Sequence, residues 1–337
     1  MLEAFYATER GSLEDATING GFDLHPELVW IDLIAPSQEE QEWVLEAYQQ
    51  NLPTLKSLED ISSSARFYRD DDGILHISTY FLTKTINYQV EDDSDENSNI
   101  LATVQTVAFI LHKDHLFTLR GEKLVAFRAF RARARRNDYD IDYKDPTWIL
   151  LGLLEAKLDE LADILEDIHK DLELYSTEVL NVRHREQILD LDDMITRLAQ
   201  KEDVLGKAQL CLIDLRRVLT FLARPRALGS HIYDADIREL SEDVRSLVEH
   251  DAFLFQKVRF LLDTTSGFIN TEQNDTIRRF SILPSMLAPP MLIASIYGMN
   301  TDVLPYAKGT TSFIIVSLIL VAFFVGPLLY FRWKKWI

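Results

Sequence analysis

Two long apolar runs dominate the C-terminal fifth of the chain. Ser281 to Met299 contains no charged residue, and Ser312 to Phe331 is equally free of charge. The first run has 19 residues, which at 1.5 Å rise per residue give ~28 Å, about the thickness of a bilayer's hydrocarbon core. Only the segment Asn300 to Thr311 separates the two. Core helices of soluble domains rarely run this long without a charge, so the pattern predicts a membrane hairpin.

Basic residues set its direction. Arg278 and Arg279 precede the first run, Arg332, Lys334 and Lys335 follow the second, and the connection carries Lys308 against Asp302. Both ends are therefore expected on the cytoplasmic side. Tyr297 and Tyr306 outside, and Tyr330, Trp333 and Trp336 inside, fall at the predicted boundaries, where rings with one polar end belong. Met1 to Glu14 is polar, so no signal peptide is expected.

Upstream, the period is helical. Leu154, Leu158, Leu161, Leu165, Ile168, Leu172, Tyr175 and Val179 alternate at spacings of four and three, an a/d seam over more than three heptads. Asp159, Glu160, Asp163, Glu166, Asp167, Asp171 and Glu173 occupy the other faces. A second helix is predicted from Glu186 to Ala223, and Gly229 to Tyr233 forms the next break. A third pattern starts at Ile237 and runs through Leu240, Val244, Leu247, Leu254, Val258 and Leu261, with no proline before Pro284. One stalk helix is thus expected to enter the first apolar run directly. From Asp236 to Met299 it would measure roughly 95 Å, so its seams require sister chains.

The first 145 residues mix periods and predict an α/β domain. Leu28 to Leu33 reads as a strand, and Ser37 followed by Glu40 is a capping box opening a helix toward Tyr48. His76 to Thr83, Val104 to Ile110 and Leu116 to Leu119 read as further strands, the last two joined by a turn at His112 to Asp114. Asp70-Asp-Asp-Gly73 lacks the later ligands and terminal Glu of a calcium loop and reads as a glycine turn. Glu91 to Ser98 is an acidic loop. The resulting expectation is an α+β membrane protein: residues 1–145 α/β, 146–233 acidic antiparallel helices, 234–280 stalk, 281–299 first span, 300–311 outer loop, 312–331 second span, and 332–337 basic tail.

Composition narrows the chemistry. Lys and Arg number 35 against 54 Asp and Glu, a net charge of -19. That excess disfavours nucleic acid and anionic lipid as partners and favours attraction of cations. Arg128, Arg131, Arg133, Arg135 and Arg136 form a basic helix face beside Phe127 and Phe130, read as intersubunit ion pairs with acidic helices. The single Cys211 rules out a disulfide framework and reads as a buried reduced thiol. His169, His184, His231 and His250 show no i, i+4 metal spacing and read as surface or packing residues. No nucleophile and base pair is evident, and no enzymatic reaction is expected.

Carrying the three-four spacing on from Asp263 gives Gly267, Asn270, Asn274, Ile277, Ser281, Pro284, Ala288, Met291 and Ser295, ending beside Asn300. This face is small or polar where a lipid-facing stripe would be large and apolar. Spacing alone leaves two readings open, close packing against another helix or the wall of an ion path.

With Tyr297-Gly298-Met299-Asn300 closing the penultimate apolar run and Lys-Lys-Trp near the end, the whole chain resembles the CorA family of magnesium transporters. Leu58-Glu-Asp-Ile61, Ser64-Ala-Arg-Phe67, Phe255-Gln-Lys-Val258 and Gly267-Phe-Ile-Asn270 are similar to its proteobacterial branch. The resemblance implies a homopentamer in the bacterial inner membrane, with the first span lining a pore and the second facing lipid. It implies that Asn300 is the selectivity residue, acting on a hydrated ion, with Gly298 and Met299 shaping its loop. Asn274 would form a lower polar ring, Ile277 and Phe280 the apolar constriction, and Asp263 an acidic, metal-attracting ring at the cytoplasmic mouth. Arg278, Arg279, Lys334 and Lys335 would form a basic collar. Magnesium would be both substrate and regulatory ligand, with cobalt and nickel as companion ions.

Three departures stand out. Leu304-Pro305 is followed by Tyr306 where the family usually has an acidic residue, with Asp302 as a partial replacement. Met291 stands where a Thr is usual, and Ala288 where a bulkier apolar residue is common. The leading expectation is passive divalent-cation uptake driven by membrane potential. The alternatives are the zinc-transporting branch that shares Gly-Met-Asn, and a membrane scaffold or sensor that conducts nothing.

Overall fold

The computed structural model describes residues 1–16, 28–59, 66–86, 100–137, 141–181, 191–225, 227–299 and 310–334. The acidic segment 91–98, His184, Asn300 with the rest of 300–309, and Lys335 lie outside them. The chain divides into two compact units, Met1–Leu261 and Leu262–Ile337.

The first unit holds a seven-stranded sheet in the order β2-β1-β3-β7-β6-β5-β4. Its strands are β1 (Leu2–Ala7), β2 (Leu13–Ala16), β3 (Leu28–Ile34), β4 (Phe67–Arg69), β5 (Leu75–Ile86), β6 (Ile100–Leu111) and β7 (Leu116–Arg120). Every pairing is antiparallel except β3 with β7. The predicted strands are all present, and β1, β2 and β4 are additional. The turn at Asp70–Gly73 links β4 to β5: Asp70 Oδ1 accepts from the Ile74 N–H at 2.7 Å, and Gly73 takes φ of 82°, a left-handed backbone that glycine adopts without steric cost. Ser37 and Glu40 cap α1 (Gln38–Tyr48) reciprocally, as their spacing predicts.

All seven residues of β3 are buried, so the strand cannot alternate between core and solvent. Its Asp32 is accommodated by a counter-charge. Trp30 and Asp32 share one face with Thr118 and Arg120 of the parallel neighbour. Arg120 donates to the two Asp32 oxygens at 3.1 and 2.6 Å, Thr118 adds a bond at 2.8 Å, and Trp30 Nε1 donates to Thr118 at 3.0 Å. The guanidinium lies 4.3 Å over the ring of Phe127 in α3 (Val125–Arg136). Phe127 and Phe130 of that helix pack on Trp30. Phe130 in turn lies against Gly152, where an added Cβ would meet its ring at 2.4 Å.

Two long helices follow, α4 (Pro146–Asn181) and α5 (Leu191–Leu222), joined outside the described residues. The predicted seam of α4 is buried at Leu154, Leu158, Leu161, Leu165, Ile168, Leu172 and Val179. Lys157 of the same helix is only 2% exposed. Its Nζ donates to Thr79 Oγ1 at 2.8 Å, and Thr79 donates to Asp214 of α5 at 2.5 Å. Asp214 also receives the Tyr80 N–H at 2.9 Å and faces Arg66 at 3.6 Å. This network pins both helices to β5. Cys211 beside it is buried and reduced, its thiol pushed up to about 11 by burial.

The arginines of α3 correct one expectation. Arg131 pairs with Glu3, Arg133 with Glu155 and Asp159 at 3.2 Å each, and Arg135 with Asp15. These partners belong to the same chain, because strands β1 and β2 and helix α4 bring carboxylates to α3 that the local spacing did not reveal.

Helix α6 (Asp234–Tyr297) continues through the end of this unit. Within it Ile237, Leu240, Val244, Leu254, Val258 and Leu261 are buried, as predicted, and Asp251 is buried with them.

Removing Arg120 would leave Asp32 charged and unpaired in the core. Arg120→Leu should therefore cost roughly 3–5 kcal/mol, and adding Asp32→Asn should recover much of it. Thermal unfolding of the single and double variants checks both.

Candidate ion pathway

In the second unit α6 runs on to Tyr297, and α7 (Thr310–Trp333) follows. Both pass the length and composition required of a span, with apolar windows of mean hydropathy 1.5 and 2.6. The first helix contains Pro284, Pro289 and Pro290 and stays helical through them. A proline lacks the N–H that would reach back four residues, so the carbonyls of Phe280, Ser285 and Met286 lose their usual donor. Such freed acceptors are tolerated inside membranes where other helices or water satisfy them. Ser281 and Ser285 turn their hydroxyls onto the carbonyls of Ile277 and Ser281, both at 2.7 Å, the usual way a helix hides a hydroxyl in apolar surroundings.

Ile282 and Met286 are buried, whereas Asp263, Asn270, Asn274, Ser281, Pro284, Ala288 and Ser295 are exposed. Ile277, Phe280 and Met291 are exposed as well, at 62%, 76% and 64%. So are the large apolar Leu283, Leu287, Leu292 and Ile296 on the other faces, so within one chain this part of α6 is open nearly all round.

The helix closes on Gly298, whose N–H donates to the Ala294 carbonyl at 2.9 Å, and on Met299, whose N–H donates to the Ile296 carbonyl at 3.2 Å. A Cβ at Gly298 would lie 3.2 Å from the same Ala294 oxygen, a tight contact that requires a small shift of the backbone. Asn300, two residues on, is outside the described residues.

Before the apolar run Arg278 meets Asp275 at 3.2 Å, both half exposed. The sequence reading missed this partner, which offsets part of the charge expected of Arg278. Arg279 is exposed. Lys334 Nζ lies 5.9 Å over the ring of Tyr330, which also contacts Phe331 and Trp333.

Two further clusters in the first unit escaped sequence reasoning. A cavity of about 510 Å³ is lined by Glu155, Asp159, Asp236, Glu239 and Asp243 together with Arg133. Burial raises the Glu155 carboxyl above its ordinary range; Arg133 pulls it down, and Asp159, Glu239 and Asp236 push it up again. His169 Nδ1 and His250 Nε2 sit 3.2 Å apart, with Glu173 3.3 Å from the other His169 nitrogen. Among the described residues no group of three or more His, Cys, Asp or Glu is arranged to hold a metal ion.

An α/β body, long helices, and two helices long and apolar enough to cross a membrane define the class as that of a protein with a water-soluble body and a membrane part. Residues 26–335 match the model of the CorA-like Mg2+ transporter protein family, and the chain belongs to that family. It is 39% identical over 309 residues to the magnesium transport protein CorA of Pectobacterium atrosepticum, covering 92% of each chain. It is equally 39% identical, over 316 residues and 92% of each chain, to the magnesium transport protein CorA of Escherichia coli K12. The complete structure of the CorA magnesium transporter from Methanocaldococcus jannaschii shares the fold, with a TM-score of 0.74 at 19% identity over 100% of this chain and 99% of that one. The family is one of transporters, not enzymes.

Gly298→Ala should disturb the helix end while leaving the first unit intact. Metal uptake by the variant should fall several-fold, with no change in the melting of the cytosolic unit; unchanged uptake would mean that the turn tolerates a Cβ.

Proposed function

We propose that this chain forms a homopentameric channel of the bacterial inner membrane, with both termini cytoplasmic, and that it admits magnesium passively. One observation carries the reading. The uncharged run Ser281 to Met299 closes on the sequence Gly298-Met299-Asn300, in a chain of this family.

Magnesium sheds its water reluctantly and usually keeps several waters when bound. Five Asn300 side-chain oxygens around the axis would accept hydrogen bonds from those waters, selecting the hydrated ion by size and charge. Below them Ser295, Met291, Ala288, Pro284 and Ser281 would line the path, with the carbonyls freed by proline as further acceptors. Ile277 and Phe280 would close it, since an apolar ring excludes ions by dewetting. Asn274, Asn270 and Asp263 would receive the ion on the inner side, where exposed charges are screened. The driving force is sufficient: ~2.3 kcal/mol per charge per 100 mV gives about 4.6 kcal/mol for a divalent ion.

Gating by intracellular magnesium fits the acidic helices. Ions held between subunits would offset facing carboxylates and favour the closed arrangement, and a ligand shifts such an equilibrium only by its differential affinity for the two states.

Liposomes holding the purified protein under an imposed potential test the function. Magnesium influx should rise with interior-negative potential and persist when proton gradients are collapsed. Zinc influx that requires a proton gradient would place the protein in the zinc branch, and no flux of any metal would make it a scaffold. Asn300→Ala should abolish selective influx while preserving the pentamer, and Asp263→Ala should alter conductance more mildly; wild-type ion preference in the first variant would overturn the Asn300 role. For gating, EDTA should increase both protease access at the acidic helices and conductance relative to millimolar magnesium. Equal values in the two conditions would remove the feedback model.

A further inference from the structure

Asp251 occupies the heptad series Ile237, Val244, Asp251, Val258 on α6, where its companions are buried aliphatic side chains. It is 0% exposed, and neither carboxyl oxygen has a hydrogen-bond partner. The other buried carboxylates are treated differently: Asp32 is held by Arg120, and Asp214 by Thr79, Tyr80 and Arg66. An ionised carboxylate without such partners is far too costly in an apolar seam, and a group so placed takes up a proton instead. A single polar residue in a helical seam also gives up stability for control of packing.

We propose that Asp251 is a proton-binding site that governs how α6 packs within the first unit. With the proton bound, the neutral carboxyl is tolerated among Val244, Leu254 and Val258; with it lost, the charge has to reach water and the seam loosens around it. The helix itself continues unbroken past Ser281. The inference does not depend on which ion the protein carries.

The other charged and titratable groups near this level are exposed or paired elsewhere. On α6 these are His250 and the exposed Glu249; on α4, His169 and Glu173, which engage His250 and each other. Lys201 of α5 pairs with Asp171 of α4 at 2.5 Å, and Arg197 with Asp193 at 2.7 Å. Burial alone raises the Asp251 carboxyl to about 6. Burial, and then His169, lower His250.

The two signs are opposite. Between the ordinary value of 3.8 and about 6, folded Asp251 retains a proton that the unfolded chain has released. Its contribution is therefore present in acid and lost as pH rises through that window. A histidine with a lowered value favours folding as pH rises, because the unfolded chain binds the extra proton.

The test is amide hydrogen exchange and thermal unfolding of the full chain in detergent, from about pH 5 to pH 8. In a His250→Gln background, protection of residues 247–255 and the melting temperature should both fall as pH rises through about 6. Adding Asp251→Asn should flatten both profiles and raise protection at neutral pH above that of the parent. A fall that survives Asp251→Asn, or no fall in the parent, would overturn the proposal. If the Asn variant fails to fold, Asp251→Leu, apolar and close in size, supplies the same readout under the same criteria.

Discussion

A helix passing from water into hydrocarbon has to keep its backbone hydrogen bonds while exchanging what its faces present. Every backbone group that a lipid tail would touch must be satisfied internally, and this constraint shapes α6 along its whole length. In the first unit it buries an aliphatic seam from Ile237 to Leu261; beyond it, Ser281 to Met299 carries no charge at all. The three prolines fall only in this second part. In water a freed carbonyl is simply hydrated, but in a membrane it has value only where water or another chain can reach it. Proline in the span and serine hydroxyls folded back on the helix therefore belong to the same part of α6.

The first unit solves a related problem by pairing its buried charges. Asp32 with Arg120 lies at the centre of the sheet, and Lys157 with Thr79 and Asp214 joins the sheet to α4 and α5. Both combine charge with directional hydrogen bonds, so each favours one register of strand on strand or helix on sheet. A hydrophobic contact tolerates sliding; a buried bidentate pair does not. Such pairs add little net stability over an apolar replacement, yet breaking one is costly because a lone charge remains.

Periodicity made the seams of α4 and α6 and the two apolar helices legible, because burial repeats at the helical period. The Ser37–Glu40 box and the Asp70–Gly73 turn were legible for a local reason, since donor and acceptor are three or four residues apart. Strands β1, β2 and β4 were not: β2 and β4 are short and lie at the two edges of the sheet, and β1, between β2 and β3, lacks a clean alternation of polar and apolar residues. Lys157 gave no signal, because its partners Thr79 and Asp214 lie on other elements far away in sequence. His169 and His250 show the same limit, being neighbours only once α4 and α6 lie together. The motif ending in Asn300 was readable because its residues are contiguous.

The acidic excess of the chain does not by itself make a metal centre, and the cavity beside α4 shows why. Glu155 and Asp159 already share Arg133, each at 3.2 Å. A divalent ion entering there would displace a guanidinium that offers directional bonds, while Asp236, Glu239 and Asp243 supply further negative potential from α6. Attraction over a distance and coordination at a point thus have different requirements. Many solvated carboxylates satisfy the first, because potential adds over the surface. The second needs oxygen atoms held at fixed separation, which a mobile side chain on one helix does not provide. In this chain the charge excess is therefore suited to drawing cations toward the protein, and holding one at a point asks for more than that excess.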